Sequence, residues 1–301
     1  LNENSSRLIY AAKGRPSDNP LIVHITNMEA LKKIVTEIPP AARKLAERYW
    51  PGPLTMIFHK SSAVPLATTG GLDTVAVRMP SHKTARAMID AAGGYIAAPS
   101  ANRSGRPSPT VARYVIEDLD GLVDMIIDGG EVNIGLESTI IDLTGEVPTI
   151  LRPGYVTQDM LTETLGLVDV DRTILDGNSR QAPKAPGMKY RHYAPKGNLS
   201  IVEGEPERVV SYINERISAL QKEGRKTGVI ATDETVARYH GDDIKSRRDE
   251  EVIARHLFRI LREFDDDNVE VMFTESFETA GIGQAIMNRL LKAAGHQVIQ
   301  V

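Results

Sequence analysis

The first side chains that could bind a ligand lie in the stretch AAKGRPSDNPLIVHITN, residues 11–27. Lys13 and Arg15 are cations, Asn19 is an amide and His24 an imidazole, on a backbone restricted by glycine and two prolines. The guanidinium fork suits phosphate or carboxylate, and the ammonium is a compact charge. These types suit an anion with several oxygens. A solvated basic turn is the alternative, and this stretch alone does not decide between them.

Polar residues also follow a predicted strand in AAPSANRSGRPSPT, residues 97–110. The stretch has four Ser or Thr hydroxyls, one asparagine and no acidic residue. α/β sheets bind ligands at the carboxyl ends of their strands, and hydroxyl, amide and backbone N–H donors suit phosphate oxygens. A helix-capping turn is the alternative interpretation.

Two arginines and a serine complete the candidate set. Arg78 interrupts the apolar strand of TTGGLDTVAVRMP, whose Gly70 and Gly71 permit close backbone approach. Ser138 begins the strand of GLESTIIDLT, and Arg152 ends that of ILRPG. The sequence has no G-x-S-x-G, H-E-x-x-H or Walker motif. The pattern favours binding of a polyanion and stabilisation of charge on phosphate over covalent catalysis.

The elements that must position these residues form an α/β pattern. Short apolar runs predict strands at 21–24, 53–61, 74–80, 95–101, 125–130, 138–144 and 148–154. Helical periodicity predicts helices at 27–37, 40–49, 81–92, 110–118 and 157–165, after a first helix capped by Ser5 or Ser6 and ended by Gly14. Helices between the strands at 74–80, 95–101 and 125–130 indicate parallel crossovers, and TGEV predicts a hairpin. We therefore expect a mixed sheet with helices against it.

The second half follows a different pattern. Residues 166–198 are rich in proline and glycine, which marks a linker, but they end in MKYRHYAP. From residue 199 strands and helices alternate regularly, which predicts a small doubly wound parallel sheet. GIGQA at 281–285 opens the last helix; a tight loop is the favoured interpretation and a phosphate loop the alternative.

Length and composition limit the class of protein. The chain has 301 residues, which predicts two domains. No apolar run approaches the roughly 20 residues of a membrane span, so we expect no membrane association. The absence of cysteine excludes disulfides and thiolate metal sites and suits the cytoplasm. A net charge of −4 does not favour general nucleic-acid binding by a basic surface.

These segments together resemble the Sua5/YrdC/YwlC family, and its two-domain Sua5 branch in particular. The matching stretches are KGRPSDNPLIVHI, WPGPLTMIF, TVAVRMP, PSANRSGRPSPT, LESTIIDL, ILRPG and APGMKYRHYAP, in the family's order. The resemblance implies an α/β fold: a YrdC-like catalytic domain with a mixed twisted sheet at 1–165, a linker or lid at 166–198, and a smaller doubly wound, Rossmann-like Sua5 domain at 199–301.

The resemblance also implies an activity, L-threonylcarbamoyladenylate synthesis. Such an enzyme joins L-threonine, bicarbonate or CO2 and ATP, and it releases pyrophosphate. Its product serves the threonylcarbamoyl modification of adenosine 37 in tRNA. Magnesium accompanies the ATP as the cofactor, with no metal ligand from the protein. The implied partner is a downstream tRNA threonylcarbamoyl transferase complex, with tRNA involved only indirectly.

The family's functional positions fall on residues of this sequence. Its K-x-R and S-x-N signature matches Lys13, Arg15, Ser100 and Asn102, of which Lys13 and Arg15 are the expected catalytic residues. The ATP-contacting positions are Arg15, Asn19, Thr74, Ser100, Asn102, Ser108, Arg152, Arg191 and Tyr193. The threonine-side positions are His24, Arg78, Ala98 through its backbone, and Ser138. The linker residues Tyr190, Arg191, His192 and Tyr193 are the expected lid.

One departure from the family and two alternative functions remain at this point. The family carries some tens of residues before KGRP, including a PTETVYGLG-like strand and turn, and we expect that this part is missing here. An RNA- or tRNA-binding module without catalysis is the first alternative; the net charge and the lack of interleaved basic and aromatic residues weigh against it. The related domain of hydrogenase-maturation carbamoyltransferases is the second. Those proteins carry cysteine zinc fingers, and this chain has no cysteine.

Overall fold

The structure, a computed structural model, describes residues 1–174, 192–247 and 250–301, and the chain divides into two compact units. The described part of the first unit comprises residues 1–104, 115–130 and 137–174. The second comprises residues 105–114, 131–136, 192–247 and 250–301. Two short segments of the first half thus belong to the second unit. The domain limits expected at 165 and 198 stay a prediction.

The first unit contains a mixed sheet of seven strands in the order β4-β1-β3-β2-β5-β6-β7. Its strands are β1 (Ile22–His24), β2 (Leu54–His59), β3 (Thr74–Arg78), β4 (Ile96–Ala98), β5 (Thr139–Asp142), β6 (Thr149–Arg152) and β7 (Asp169–Val170). The helices of this part of the chain are α1 (Glu3–Lys13), α2 (Met28–Ile34), α3 (Pro40–Tyr49), α4 (Leu66–Thr69), α5 (Lys83–Ala91), α6 (Ala112–Leu119) and α7 (Gln158–Leu165). β1 and β3 are parallel, as are β2 and β5, whereas β2 and β3 are antiparallel.

The two faces of this sheet differ, because side chains alternate along each strand. One face carries the main core, in which Met56 and Phe58 of β2 pack with Val75 and Val77 of β3. Helix α3 contributes to this core with Ala42, Leu45, Ala46 and Tyr49, spaced as one face of a helix. The other face has a small apolar cluster of Ile22, Ile57, Ala76, Ile140 and Leu151. Polar side chains lie beside that small cluster and form part of the candidate site.

The second unit contains a five-stranded sheet that is parallel throughout, in the order β10-β9-β11-β8-β12. Its elements are β8 (Asn198–Glu203), α8 (Pro206–Lys222), β9 (Thr227–Thr232), β10 (Asp243–Arg247), α9 (Glu250–Asp266), β11 (Val271–Glu275), α10 (Gly283–Ala293) and β12 (Val298–Gln300). One core cluster contains residues of α9 and α10, and another contains residues of α8. The predicted fold class, a mixed-sheet domain followed by a doubly wound parallel one, is confirmed.

Helix α9 holds the segment 105–114 within the second unit. The buried Arg262 donates to the carbonyl of Pro107 from Nε and Nη2, at 3.0 and 2.7 Å. The carboxylate of Asp266 accepts from Arg113 and, at 2.9 Å, from the Tyr114 hydroxyl. A segment that follows the S-x-N motif in sequence is therefore packed by C-terminal side chains.

Several predicted elements differ in the structure. Residues 125–130 form no strand, although Met125 and Ile127 alternate as a strand would; they are 75% and 48% exposed. Alternation selects a face but supplies no partner strand for the backbone. The expected parallel crossovers are also wrong, since β4 is antiparallel to β1. Asn2, not Ser5 or Ser6, caps α1, because its side chain accepts from the Asn4 and Ser5 N–H groups.

Among the residues that the structure describes, no helix is both long and apolar enough to cross a membrane.

Candidate active site

Lys13 is a buried lysine at the end of α1 and is bound to the S-x-N loop. It is 5% exposed. Its ammonium donates to the carbonyl oxygens of Ser100, at 2.5 Å, and of Asn102. The Lys13 carbonyl accepts in turn from Ser104 N at 2.9 Å. The structure thus brings the K-x-R and S-x-N motifs together, with the lysine fixing the backbone of the other loop.

Arg15 and Asn19 form the second part of this anion loop, by which we mean residues 13–20. Arg15 donates to Asn19 Oδ1 at 2.6 Å, to the Asn19 carbonyl at 3.2 Å and to the Pro20 carbonyl at 3.0 Å. Asn19 is 1% exposed, and its Nδ2 has no hydrogen-bond partner within the described residues. A buried N–H donor without a partner is costly. A bound acceptor, such as a phosphate oxygen, would satisfy it.

The anion loop depends on the close approach of Gly70. A Cβ at Gly70 would lie 2.8 Å from the Asp18 carbonyl oxygen, and φ is +63°. The Leu21 N–H also donates to Thr68 O at 3.0 Å, so the start of β1 is tied to the segment before Gly70. The predicted close backbone approach is found at Gly70. Nothing lies within 4 Å of a Cβ at Gly71, where φ is +88°.

We expect Gly70→Ala to raise the KM for the anionic substrate about tenfold, because the new methyl group displaces the anion loop. Gly71→Ala is the matched control: it carries the cost of a positive φ, roughly 1–2 kcal/mol, without a clash. Steady-state kinetics of both variants, with thermal unfolding, separate displacement from strain. Equal KM values for the two variants would contradict the role of Gly70.

A row of polar side chains crosses the sheet of the first unit. His24 of β1 pairs in register with Arg78 of β3, and Arg78 with Thr55 of β2. Thr55 pairs with Ile140 of β5, and Ile140 with Arg152 of β6. Residues paired in register project to the same face. Strands β1, β3, β2 and β6 therefore present an imidazole, two arginines and a hydroxyl on the face of the small apolar cluster, to which Ile140 of β5 belongs.

A β-bulge brings Arg152 to this face. Ile141 pairs with Ile150, but Ile140 pairs with Arg152, so the register shifts by one residue. Ile150 packs in the main core and Leu151 in the small cluster. By strict alternation Arg152 would project to the same side as Ile150. The extra residue reverses this and places the guanidinium with the polar row.

Arg152 and Thr55 both contact Ser138. Arg152 Nη2 donates to the Ser138 carbonyl at 2.9 Å and to Ser138 Oγ at 3.1 Å. Thr55 Oγ1 lies 2.7 Å from Ser138 Oγ. All three residues are buried. The structure thus places Arg152, predicted as an ATP contact, beside Ser138, predicted on the threonine side.

Thr55 is the site neighbour that sequence reasoning did not select. It lies within the stretch WPGPLTMIF and the predicted strand 53–61, where it was interpreted only as part of a strand. The available signal was a single hydroxyl within the buried run Leu54–Phe58. Its direction toward Ser138, 83 residues away in sequence, cannot be seen from that signal.

The polar row is electropositive. Burial, and then the positive charge of the nearby Arg152, lowers the pKa of Arg78 to about 10. Arg78 therefore stays charged at neutral pH. Its Nε donates to the Gly52 carbonyl at 3.0 Å. Two like charges on one face favour the binding of an anion that neutralises both.

His24 is neutral beside these arginines. Burial, then the charge of Arg78, lowers the pKa of His24 to about 4, against the opposing effect of the Ile22 and Ile96 carbonyls. Its Nδ1 lies 3.1 Å from the Ile22 oxygen. A carbonyl only accepts, so Nδ1 carries the proton. The imidazole adds no further positive charge to the row.

The lowered pKa of His24 predicts a loss of stability in acid. Between pH 6.5 and pH 4 the unfolded state binds more protons at this residue than the folded state, so stability falls as pH decreases. The shift corresponds to up to about 3 kcal/mol. His24→Gln should therefore lose less unfolding free energy than wild type across this window in urea titrations. His240→Gln, an exposed histidine of the second unit, is the control. Parallel pH profiles for wild type and His24→Gln would refute this prediction.

The remaining predicted residues lie at other places. Thr74 begins β3 and Ala98 ends β4, where Ala98 pairs with Ile22. Both are therefore near the amino ends of β1 and β3, away from the Arg78 row. Ser108 is buried in the segment 105–114 of the second unit. Asn102 is buried, and the exposed Ser100 donates to its Oδ1.

The predicted lid is described only in part. Tyr190 and Arg191 lie outside the described residues. His192 and Tyr193 belong to the second unit, where the Tyr193 ring packs 4.8 Å from that of Phe258. Tyr193 has a φ of +65° and is buried within the α9–α10 core cluster. These contacts give Tyr193 a packing role, and its role as a lid stays a prediction.

Fold and site together define a class: a mixed-sheet α/β domain with an anion loop and an arginine row, followed by a parallel-sheet domain. Two family models match in the same order. The family described as "Telomere recombination" (Sua5, YciO, YrdC) matches residues 1–154, and "Threonylcarbamoyl-AMP synthase, C-terminal domain" matches residues 156–295. The chain belongs to the Sua5/YrdC family, and the suspected resemblance is confirmed.

Curated relatives and solved structures agree with this assignment. The chain is 48% identical to the threonylcarbamoyl-AMP synthase of Pyrococcus abyssi over 100% of this chain and 87% of that protein. It is 46% identical to that of Bacillus subtilis, over 99% and 86%. The crystal structure of P. abyssi Sua5 complexed with L-threonine matches with a TM-score of 0.93 and 47% identity, covering 100% of this chain and 87% of that one.

Proposed function

We propose that this protein synthesises L-threonylcarbamoyladenylate from L-threonine, bicarbonate or CO2 and ATP, as a nucleotidyltransferase that releases pyrophosphate. The observation that carries the proposal is the pairing of two sites on the first unit. The anion loop lies at the amino ends of β1 and β3, and the arginine row lies at their carboxyl ends. The relatives named threonylcarbamoyl-AMP synthase support the same activity.

The anion loop would bind the nucleotide. Arg15 and Asn19 would contact phosphate oxygens, and Lys13 would hold the S-x-N loop so that Ser100 and Asn102 do the same. Within the first unit, Thr74 and Arg152 complete the proposed ATP contacts, and the expected contact of Ser108, in the second unit, stays a prediction. Preorganised positive charge that stabilises the charge developing on the phosphate in the transition state is usually the largest single contribution of such a site to catalysis.

The arginine row would bind the amino acid. Arg78 would pair with the threonine carboxylate and Ser138 would donate to it, with His24 beside them. Neutral His24 suits this role, because the amino group must lose its proton before it can react. The proposed contact of the Ala98 backbone with threonine would come from the amino end of β1, where Ala98 pairs with Ile22. The structure of P. abyssi Sua5 with L-threonine supports this class of substrate.

The proposed reaction has two bond-forming steps. The threonine ammonium group first loses its proton; the neutral nitrogen then attacks the carbon of bicarbonate, and a carbamate forms with release of water. A carbamate oxygen then attacks the α-phosphorus, the bond to the bridging oxygen breaks and pyrophosphate leaves. No residue forms a covalent bond, so the protein acts by holding the reactants together and stabilising charge.

Magnesium belongs to this proposal as the partner of ATP. Among the described residues there is no group of three or more His, Asp or Glu side chains that could hold a metal ion. The donors at the anion loop are ammonium, guanidinium, amide and hydroxyl groups. These fit phosphate oxygens, whereas magnesium prefers oxygen ligands. Magnesium would supply charge neutralisation on the phosphates.

The same proposal includes the downstream steps. The adenylate would pass to a tRNA threonylcarbamoyl transferase complex, and tRNA would take part only through that complex. We assign the reaction to the cytoplasm, in line with the absence of cysteine.

The test is synthesis by the full-length protein. Incubation with ATP, magnesium, L-threonine and bicarbonate should release pyrophosphate and yield an AMP adduct of the mass of threonylcarbamoyladenylate. Omission of threonine or bicarbonate should abolish the adduct. Salt-dependent tRNA binding with no ATP turnover would instead favour the RNA-binding alternative.

A further inference from the structure

We propose that Thr55 is a positioning residue that makes the Ser138 hydroxyl a hydrogen-bond donor toward the carboxylate of the amino-acid substrate. The inference rests on the proposed function, which it deepens at the same site. It is carried by the contacts of Thr55, Ser138 and Arg152, all within the first unit.

The buried hydroxyl of Thr55 is directed at Ser138. Thr55 is 0% exposed, so its hydroxyl needs a partner within the protein. Ser138 Oγ, at 2.7 Å, is that partner. A valine at this position would fill the same volume without a polar group. The threonine therefore adds one hydrogen bond to Ser138 and a methyl group to the packing.

Because the Ser138 hydroxyl has a single proton, the direction of its hydrogen bond with Thr55 decides whether that proton is available to a ligand. A hydroxyl has one proton to donate and two lone pairs to accept. Arg152 Nη2, at 3.1 Å, can only donate and fills one lone pair. If Thr55 donates as well, both lone pairs are filled and the Ser138 proton is left for a ligand. If Ser138 donates to Thr55, that proton is used within the protein.

The charge of the surrounding row selects between these arrangements. Arg78 lies in register beside Thr55, and Arg152 lies in register with Ile140 on the neighbouring strand. The group of the ligand that binds beside these two guanidinium groups is an anion, and an ionised carboxylate only accepts hydrogen bonds. Ser138 can contact such a ligand only by donating. Thr55 then donates to Ser138 and holds its oxygen in place.

The test is the kinetics of the full-length protein. Thr55→Val removes the hydroxyl at nearly constant volume. We expect the KM for L-threonine to rise about tenfold, with the KM for ATP within about twofold of wild type. Thr55→Ser restores the hydroxyl and should return the threonine KM to within about threefold. Thr55→Ala, which also lacks the hydroxyl, should share the defect of the valine variant and replaces it if that variant folds poorly.

Two further variants separate positioning from packing. In a Ser138→Ala background, Thr55→Val should have no additional effect on the threonine KM, because the bond is already lost. Thr274→Val is the matched control. Thr274 is a buried strand threonine of the second unit whose hydroxyl donates to the Glu275 carbonyl at 3.0 Å. This exchange should leave both KM values unchanged.

The inference is wrong if Thr55→Val and Thr55→Ala keep the wild-type threonine KM. It is also wrong if Thr55→Ser is as impaired as Thr55→Val, or if the defect persists unchanged in the Ser138→Ala background. Failure of the proposed function is a different result. In that case the wild-type protein itself forms no AMP adduct with threonine.

Discussion

Arg15→Ala is expected to lower kcat/KM for ATP by about 100-fold or more. Placed charge contacts to a reacting phosphate contribute about 3 kcal/mol each. The structure adds a second reason, because Arg15 also donates to Asn19 and to the Pro20 carbonyl and so holds the anion loop together. Its loss removes a cation and releases the backbone that carries Asn19. The measurement is the rate of pyrophosphate release as a function of ATP concentration.

Two controls accompany the Arg15 variant. Arg15→Lys keeps the charge but should recover little activity, because one ammonium cannot replace a guanidinium that bonds three oxygens. Arg7→Ala removes an exposed arginine of α1 that pairs with Glu3, and it should leave kcat/KM unchanged. Near-wild-type turnover in both Arg15 variants would remove Arg15 from the proposed phosphate site.

Arg78→Met is expected to raise the KM for L-threonine about 100-fold, with less than about threefold change in the KM for ATP. A charge-assisted bond to a carboxylate contributes roughly 1.5–3 kcal/mol. Arg78 is expected to be charged at neutral pH despite its lowered pKa of about 10, so its replacement removes a full charge from the polar row. Initial rates measured against each substrate in turn give the two KM values.

Arg78 is assigned to the threonine site only if its replacement raises the KM for L-threonine and not that for ATP. Arg43→Met, an exposed arginine on α3, should alter neither KM and controls for the exchange itself. Threonine should also raise the melting temperature of wild type more than that of Arg78→Met, since a bound anion relieves the repulsion between Arg78 and Arg152. Equal increases of both KM values would argue against a threonine-specific role for Arg78.

The sequence predicts which types of residue form the site, but it does not predict which partners their side chains contact. Two cations on a glycine- and proline-containing loop predicted anion binding, and Arg15 and Asn19 lie together as that requires. Nothing in the spacing predicts that the Lys13 ammonium binds the carbonyls of residues 100 and 102, because those partners are nearly 90 positions away. The expected catalytic role of Lys13 stays a prediction.

Local patterns predicted the strands well where a neighbour strand existed. The runs at β2, β3, β5 and β6 were found within a few residues of their observed bounds. The run at 125–130 has the same alternation but forms no strand, because pairing depends on the rest of the fold. Strand β10 was not predicted, because it pairs with a neighbouring strand but lacks an apolar run. Asp243–Arg247 is largely polar, as an edge strand can be.

The bulge in β6 determines how a change in strand length would affect this site in a homologue or an engineered variant. Deletion of Leu151 would place the arginine directly after Ile150, where strict alternation turns it away from the face of Ile141 and Ile150. The arginine would then pair with Ile140 in a regular ladder without a bulge. A relative that is one residue shorter here is therefore expected to keep the arginine on the polar face, whereas a relative of the same length depends on the bulge to do so.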